Sequence, residues 1–146
     1  MTATIENPTA HPLVSTTVTI GGEADLLRVR STMRAYARQA GLGLTATTKV
    51  VTAGSELARN ILRYATCGQG IAAIEEANSG QKRGVRATFT DVGPGIADLD
   101  LAMRSGFSTA ESLGLGLPGS RRLVDEFDID SAPGRGTRVA ICQWDR

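Results

Sequence analysis

The sequence holds few of the side chains that build metal centres or disulfide frameworks. Its 146 residues include two cysteines, Cys67 and Cys142, and one histidine, His11. The cysteines lie far apart and neither belongs to a Cys-x-x-Cys pair, which argues against a structural zinc site. Unpaired cysteines are typical of reducing compartments, so we expect a cytoplasmic protein with reduced thiols.

The sequence also lacks an excess of charge and a long apolar run. Sixteen Lys and Arg residues nearly balance fifteen Asp and Glu residues, leaving a formal net charge of +1. This balance does not provide the basic surface that non-specific nucleic-acid binding requires. No apolar run approaches the roughly 20 residues of a membrane-spanning helix, and no signal peptide is read at the N-terminus. We therefore expect no nucleic-acid or membrane partner.

Glycine, in contrast, is abundant, with 17 residues, and many of them lie between segments of helical and strand periodicity. The periodicity predicts, in chain order, a strand, two helices, a further strand, a helix and two final strands. Residues 71–77 have no clear period, but the turn that follows them and the clear strand at 85–90 indicate that they are its hairpin partner. The predicted limits of these elements are 15–20, 24–40, 45–65, 71–77, 85–90, 118–126, 127–130 and 137–143, and a further short helix is expected at 98–104.

This order of elements indicates an α+β fold. Several neighbouring strands have connections too short for parallel pairing, because a parallel pair needs a crossover of about a dozen residues or more. We expect a two-layer α/β sandwich in which helices cover a mixed, mostly antiparallel sheet. Residues 1–14 are polar and contain Pro8 and Pro12, so we expect a flexible N-terminal arm before a single domain at 15–146.

The second predicted helix carries a carboxylate and an amide on one face. Glu56 and Asn60 are four residues apart and therefore project from the same side, at the edge of the apolar stripe of Leu57 and Ile61. Such a pair could supply a general base and a ligand for Mg²⁺, which prefers oxygen ligands. The same pair would also suit an ordinary solvated helix edge.

The segment after the strand at 85–90 reads Asp-Val-Gly-Pro-Gly-Ile, from Asp91 to Ile96. Counting by two from Phe89 places Asp91 on the core-facing side of the strand, where a carboxylate needs a hydrogen-bond donor. The amino group of a nucleobase would be such a donor, and the glycines would let a ligand approach the backbone closely. A simple turn after a strand would have the same composition.

Two more glycine segments follow. The first, from Gly114 to Gly119, leads into a helix, where free backbone N–H groups and missing side chains favour an anion such as a triphosphate. It is not a Walker A motif, since no Gly-Lys-Ser/Thr is present, nor a dinucleotide fingerprint, since no parallel βαβ unit precedes it. The second, Gly-Arg-Gly-Thr at 134–137, is typical of a hairpin turn.

Together and in this order, the four motifs resemble those of the GHKL ATPase superfamily, also called the Bergerat ATP-binding fold. They are similar to its N box, its two glycine boxes and its threonine near the adenine, and the likeness runs from about residue 15 to residue 144. The phrases SELARN, DVGPGIAD, GLGLGLPGSRRLVDEFDI and PGRGTRV look most like the small bacterial switch kinases of the RsbT type. Relatives of those kinases are the anti-sigma-factor kinases of the RsbW and SpoIIAB type.

The resemblance implies a role for each motif residue. Glu56 would be the general base that orients or deprotonates a substrate hydroxyl, and Asn60 would hold Mg²⁺ against the phosphates of ATP. Asp91 would accept a hydrogen bond from the adenine amino group, and Thr137 would lie near the adenine. The remaining nucleotide-binding positions belong to the two glycine boxes: Gly93, Gly95, Ile96, Gly114, Leu115, Gly116 and Leu117.

The implied nucleotide lid at 105–113 departs from the family pattern. Relatives tend to carry glycines just before the second glycine box, whereas this chain has Ala-Glu-Ser at 110–112. A carboxylate of Glu111 that pointed inward would repel the phosphates.

The same resemblance implies a function. The chain would be an ATP-dependent serine/threonine kinase of a bacterial partner-switching pathway, serving a stressosome or sigma-factor regulation, with ATP and Mg²⁺ as cofactors. Its substrate would be a STAS-domain antagonist protein, and the freed kinase would activate a PP2C-type phosphatase by binding it. The alternatives are an anti-sigma factor that sequesters a sigma subunit in a nucleotide-dependent way and a nucleotide-binding module without catalysis. The oligomeric state stays open.

Overall fold

A computed structural model of the chain describes residues 14–96, residue 103 and residues 116–145. These residues form five strands and three helices in the order that the sequence predicts. The strands are β1 (Ser15–Ile20), β2 (Gly70–Ser79), β3 (Lys82–Asp91), β4 (Glu126–Ser131) and β5 (Thr137–Trp144). The helices are α1 (Glu23–Ala40), α2 (Leu44–Tyr64) and α3 (Gly116–Leu123), with a single 3-10 turn at Thr66–Gly68 after α2.

Several predictions lie wholly or partly outside the described residues. The N-terminal arm is described only at Val14 and the short helix at 98–104 only at Met103. The lid with Glu111, together with Gly114 and Leu115, lies outside as well.

All five strands belong to one sheet with the order β1-β2-β3-β5-β4. The mostly antiparallel sheet is confirmed, and every pairing among the described strands is antiparallel. β3 occupies the centre of the sheet, and its last residue, Asp91, is the register partner of Gly70 on β2 and of Thr137 on β5. The segment predicted to bind a nucleotide therefore begins where the chain is paired with a strand on both sides.

The β2–β3 hairpin extends further than its apolar pattern. Ser79 pairs with Lys82, so the turn consists of two residues, Gly80 and Gln81. Gly80 has a φ of +65°, which is the backbone conformation that glycine accepts most readily in tight hairpins. The strands remain paired up to this turn through polar residues that show no apolar alternation. Both strands are therefore longer than predicted.

The last helix differs most from its prediction. The sequence predicts a helix at 118–126, but α3 begins at Gly116 and ends at Leu123. Glu126 is the register partner of Cys142 and already belongs to β4. Strand pairing with β5 thus ends the helix earlier than the local sequence indicates.

One layer of helices covers one face of the sheet, as the predicted two-layer sandwich requires. Val85, Ala87 and Phe89 of β3 are buried and alternate with half-exposed residues. Gly54 of α2 lets the helices approach closely, because a Cβ there would collide with the sulfur of Met33 on α1. The helices contribute Leu26, Val29, Met33, Tyr36, Ala37, Val50, Leu57, Ala58 and Ile61 to the core. Among the described helices, none has the length and apolarity needed to span a bilayer.

Candidate nucleotide-binding site

Glu56 and Asn60 stand on one side of α2, at the border of its buried face. Their neighbours Leu57 and Ile61 are almost fully buried, whereas Glu56 and Asn60 are half-buried. The spacing of four residues places their Cβ atoms about 6 Å apart. A carboxylate and an amide are therefore held close together on a helix that the core fixes in place.

Arg59 holds the carboxylate of Glu56. Its Nη1 atom donates to Oε2 of Glu56 at 2.7 Å, and the two side chains are 28% and 17% exposed. A charge-assisted bond of this length in a partly buried position restrains both side chains. Arg59 is not among the predicted site residues, although its i,i+3 spacing from Glu56 is a signal of an ion pair that the sequence contains.

Asp91 ends β3 in a half-buried position. Burial raises the pKa of the Asp91 carboxyl above its ordinary value, and hydrogen bonds from the backbone N–H groups of Thr137 and Gly93 counter part of that shift. A carboxylate can accept more than two hydrogen bonds. Asp91 can therefore accept a further hydrogen bond in a partly desolvated position, where a hydrogen bond from a ligand is stronger than in water.

A hydroxyl cluster joins the segments on either side of Asp91. The Oγ atom of Ser131 accepts from the N–H of Ile96 at 2.9 Å and donates to the carbonyl oxygen of Gly136 at 2.9 Å. It also lies 2.9 Å from Oγ1 of Thr137. Ser131 thereby ties the end of the Asp-Val-Gly-Pro-Gly-Ile segment to the start of β5. Ser131 is not among the predicted site residues, since a serine at the end of a strand carries no distinctive local signal.

Two glycines permit the close approach of the loop after β3 and the β4–β5 turn. Gly95 has a φ of +76° and Gly136 a φ of +80°, which is the left-handed region that favours glycine. A Cβ at Gly95 would collide with the carbonyl oxygen of Ala132, and one at Gly136 with that of Asp91. The close backbone contact with Ala132 thus requires glycine at position 95, in addition to the room for adenine that the resemblance implies.

Gly93 brings the Asp91 loop against the end of α2. A Cβ at this buried position would lie 2.9 Å from Oδ1 of Asp91 and 3.0 Å from Cα of Ala65, the residue after α2. α3 also packs against α2. Gly116 begins α3 with a φ of +50°, and Leu117 in its first turn packs against the core. The end of β3 and the start of α3 are therefore both attached to the helix that carries Glu56.

The donors present suit a magnesium ion that is bound mainly by a nucleotide. Within the described part of the chain, no group of three or more His, Cys, Asp or Glu side chains could hold a metal. Mg²⁺ does not need such a group when phosphates and waters supply most of its ligands. The half-buried amide of Asn60, one turn after Glu56, provides an oxygen of the required kind.

The chain is similar to known proteins over most of its length. Residues 22–143 match the family model described as a histidine kinase-like ATPase domain. The serine/threonine-protein kinase RsbT of Bacillus subtilis (strain 168) is 42% identical over 127 residues, which cover 87% of this chain and 94% of that protein. The anti-sigma F factors of Thermoanaerobacter sp. (strain X514) and Caldanaerobacter subterraneus subsp. tengcongensis are each 29% identical over 119 residues, covering 79% of this chain and 82% of theirs.

Proposed function

The chain belongs to the histidine kinase-like ATPase domain family, and we propose that it transfers the γ-phosphoryl group of ATP to a serine or threonine of a partner protein. The observation that carries the proposal is the placement of Glu56 and Asn60. Both are half-buried on one face of α2, the helix whose C-terminal end contacts the Asp91 loop. The 42% identity with RsbT, over 94% of that protein, supports the same activity.

Asp91 binds the adenine in this proposal. Its carboxylate accepts a hydrogen bond from the adenine amino group in addition to the backbone bonds from Thr137 and Gly93. The side chain of Thr137 stands beside it on the neighbouring strand. Gly93, Gly95 and Ile96 belong to the loop that Ser131 ties to the start of β5, so hydrogen bonds within the protein hold the adenine end in place.

Backbone amides bind the phosphates. Gly116 and Leu117 open α3, and the start of a helix presents free N–H groups and a partial positive charge. Gly114 and Leu115 precede them in the chain and extend the same glycine box. Mg²⁺ held by Asn60 would supply charge neutralisation between the phosphate oxygens.

Glu56 acts as the general base. The acceptor hydroxyl oxygen forms a bond to the γ-phosphorus, its proton passes to the carboxylate of Glu56, and the bond to the bridging oxygen breaks as ADP leaves. A positioned base of this kind typically contributes about 10²–10⁴ in rate. Arg59 positions the carboxylate through its 2.7 Å contact.

A STAS-domain antagonist is the acceptor that we propose, and binding of a PP2C-type phosphatase by the freed kinase is the second step of the switch. We place both steps in the cytoplasm. The 29% identity with anti-sigma F factors favours a second candidate function, namely nucleotide-dependent sequestration of a sigma subunit. The higher identity and coverage with RsbT give the kinase role precedence.

Glu56→Gln tests the proposal, because it removes the base and keeps the size of the side chain. We expect transfer from ATP labelled in the γ-phosphate to a purified STAS-domain protein to fall at least about 10²-fold, with ATP affinity changed by less than about twofold. Glu23→Gln on the exposed start of α1 is the matched control and keeps the parent rate.

An equal loss of ATP binding and transfer would show that Glu56 is structural. A sigma factor in place of the STAS-domain protein tests the second candidate. A stable nucleotide-dependent complex with the sigma factor, without transfer to the STAS-domain protein, would assign the anti-sigma function instead.

A further inference from the structure

A groove of about 360 Å³ runs along the surface between the C-terminal half of α1 and the N-terminal half of α2. We call it the helix groove and define it by Arg34, Arg38, Leu42, Leu44 and Val51. It lies apart from the Asp91 loop and from the start of α3. None of the motifs assigned to the nucleotide contributes to it.

The helix groove has a strongly basic side. Arg30, Arg34 and Arg38 are four residues apart and form one stripe on α1. Arg30 donates through Nε to Oγ of Ser55 at 3.0 Å, whereas Arg34 and Arg38 are exposed and take part in none of the ion pairs between described residues.

Among the residues that the structure describes, acidic side chains are sparse around these two arginines. The acidic residues of α1 are Glu23 and Asp25 in its first turn, more than two turns before Arg34. Beyond the end of α1, a carboxylate oxygen of Asp145 lies 3.6 Å from where a Cβ of Gly41 would stand. Among the described residues, the lining of the helix groove includes two arginines and no carboxylate, so the groove is net positive.

The other side of the helix groove is apolar. Leu44, in the first turn of α2, is 85% exposed. Leu42 and Val51 beside it are buried, with exposed fractions of 9% and 7%. A single exposed leucine is common on protein surfaces. Here it borders a groove with an apolar floor and two cations, a combination that suits an amphipathic acidic segment.

α2 connects the helix groove to Glu56. Thr48, Thr52 and Glu56 follow one another at intervals of four residues and form a ridge along the helix. Thr48 and Thr52 line the helix groove, and Glu56 is one turn beyond Thr52, about 6 Å along the axis. A protein seated in the helix groove therefore stands within one or two helical turns of the proposed base.

We propose that the helix groove docks an acidic, amphipathic segment of the phosphoacceptor protein and so directs its hydroxyl group to Glu56. Carboxylates of that segment pair with Arg34 and Arg38, and an apolar side chain covers Leu44 and Val51. The inference rests on the proposed kinase function. It assigns partner selection to the outer surface of α1 and α2 and leaves nucleotide binding to the glycine boxes.

The double variant Arg34→Glu with Arg38→Glu tests the docking role in the full chain. We expect KM for the STAS-domain acceptor to rise at least tenfold, with kcat and the affinity for a fluorescent ATP analogue within about twofold of the parent. Lys82→Glu with Arg83→Glu makes the same charge change at the exposed β2–β3 hairpin and leaves KM unchanged. Arg34→Lys with Arg38→Lys keeps most of the affinity. An unchanged KM in the Arg34/Arg38 charge reversal, or an equal rise in the hairpin control, would overturn the inference.

A direct binding measurement separates this inference from the kinase proposal. The probe is a fluorescein-labelled helical peptide of Glu, Leu and Ala, about 16 residues long, with a counterpart that carries Lys in place of Glu. We expect anisotropy to show binding of the acidic peptide alone, weakened at least tenfold by the Arg34/Arg38 charge reversal and by raising NaCl from about 50 to about 500 mM. Binding of this kind without phosphorylation of any STAS-domain protein would refute the kinase proposal and keep the docking site. Equal binding of both peptides would refute the docking site.

Discussion

Asp91→Asn is the substitution that isolates the adenine end of the site. Asparagine has the size of aspartate and keeps one oxygen for the backbone donors of Thr137 and Gly93. It replaces the ionised acceptor by a neutral amide, whose NH₂ group would face the amino group of adenine. A hydrogen bond to a charged group contributes about 1.5–3 kcal/mol, and about 1.4 kcal/mol corresponds to a tenfold change in affinity. We therefore expect the Kd for ATP to rise by about 10- to 150-fold.

The same substitution should not destabilise the unliganded protein at neutral pH. Burial raises the pKa of Asp91 above its ordinary value of 3.8. Because the pKa of Asp91 is higher in the folded state, the protonated carboxyl stabilises the fold. This contribution is fully present below the pKa of the unfolded state and is lost as the pH rises through the pKa of the folded state. At neutral pH the ionised carboxylate therefore opposes folding, and asparagine removes this cost while it weakens one backbone bond. The free energy of unfolding in urea should equal or exceed that of the parent.

Titration with a fluorescent ATP analogue in the presence of Mg²⁺ measures the loss of affinity. Asp128→Asn is the matched control, because it makes the same charge change on β4 at a side chain that is 76% exposed. ATP binding by the parent should also weaken as the pH falls through the raised pKa of Asp91, whereas the Asp91→Asn variant should lack that dependence. An unchanged Kd in the variant would show that Asp91 does not bind the adenine.

Gly95→Ala should destabilise the fold more than Gly80→Ala, although both glycines have positive φ angles, +76° and +65°. The left-handed backbone costs alanine about 1–2 kcal/mol at either position, but the new Cβ meets the carbonyl oxygen of Ala132 at Gly95 and nothing within 4 Å at Gly80. Equal losses of unfolding free energy in urea would contradict this account of the loop. In the native protein at about pH 8, iodoacetamide should modify Cys67, which is exposed, and spare Cys142, whose pKa burial raises to about 11. Peptide mapping by mass spectrometry identifies the modified residue, and equal rates at both cysteines would show that Cys142 is accessible.

The sequence predicted α1, α2 and the apolar part of β3 well because their signals are local. The buried residues of α1 repeat at helical spacing from Leu26 to Ala40, and strict alternation marks β3. The segment at 71–77 has no clear period of its own. The turn and the clear strand that follow it predict a hairpin partner there, and β2 confirms that prediction.

Features that depend on distant residues were less accessible. The end of α3 is set by the pairing of Glu126 with Cys142. Local helix propensity cannot predict a contact between residues so far apart in the chain. In the candidate site, the motif residues Glu56, Asn60 and Asp91 could be named from their spacing. Ser131 could not, because its role consists of bonds to partners five, six and 35 residues away.

The mounting of Glu56 and Asn60 on one buried helix has a consequence for regulation. Leu57, Ala58 and Ile61 lock that helix into the core, so the backbone positions of Glu56 and Asn60 are fixed relative to each other. An outside signal could change the spacing of their Cα atoms only by distorting the helix. We therefore expect control of such an enzyme to act by admitting or withholding its two reactants, while the proposed catalytic pair keeps its spacing on the helix.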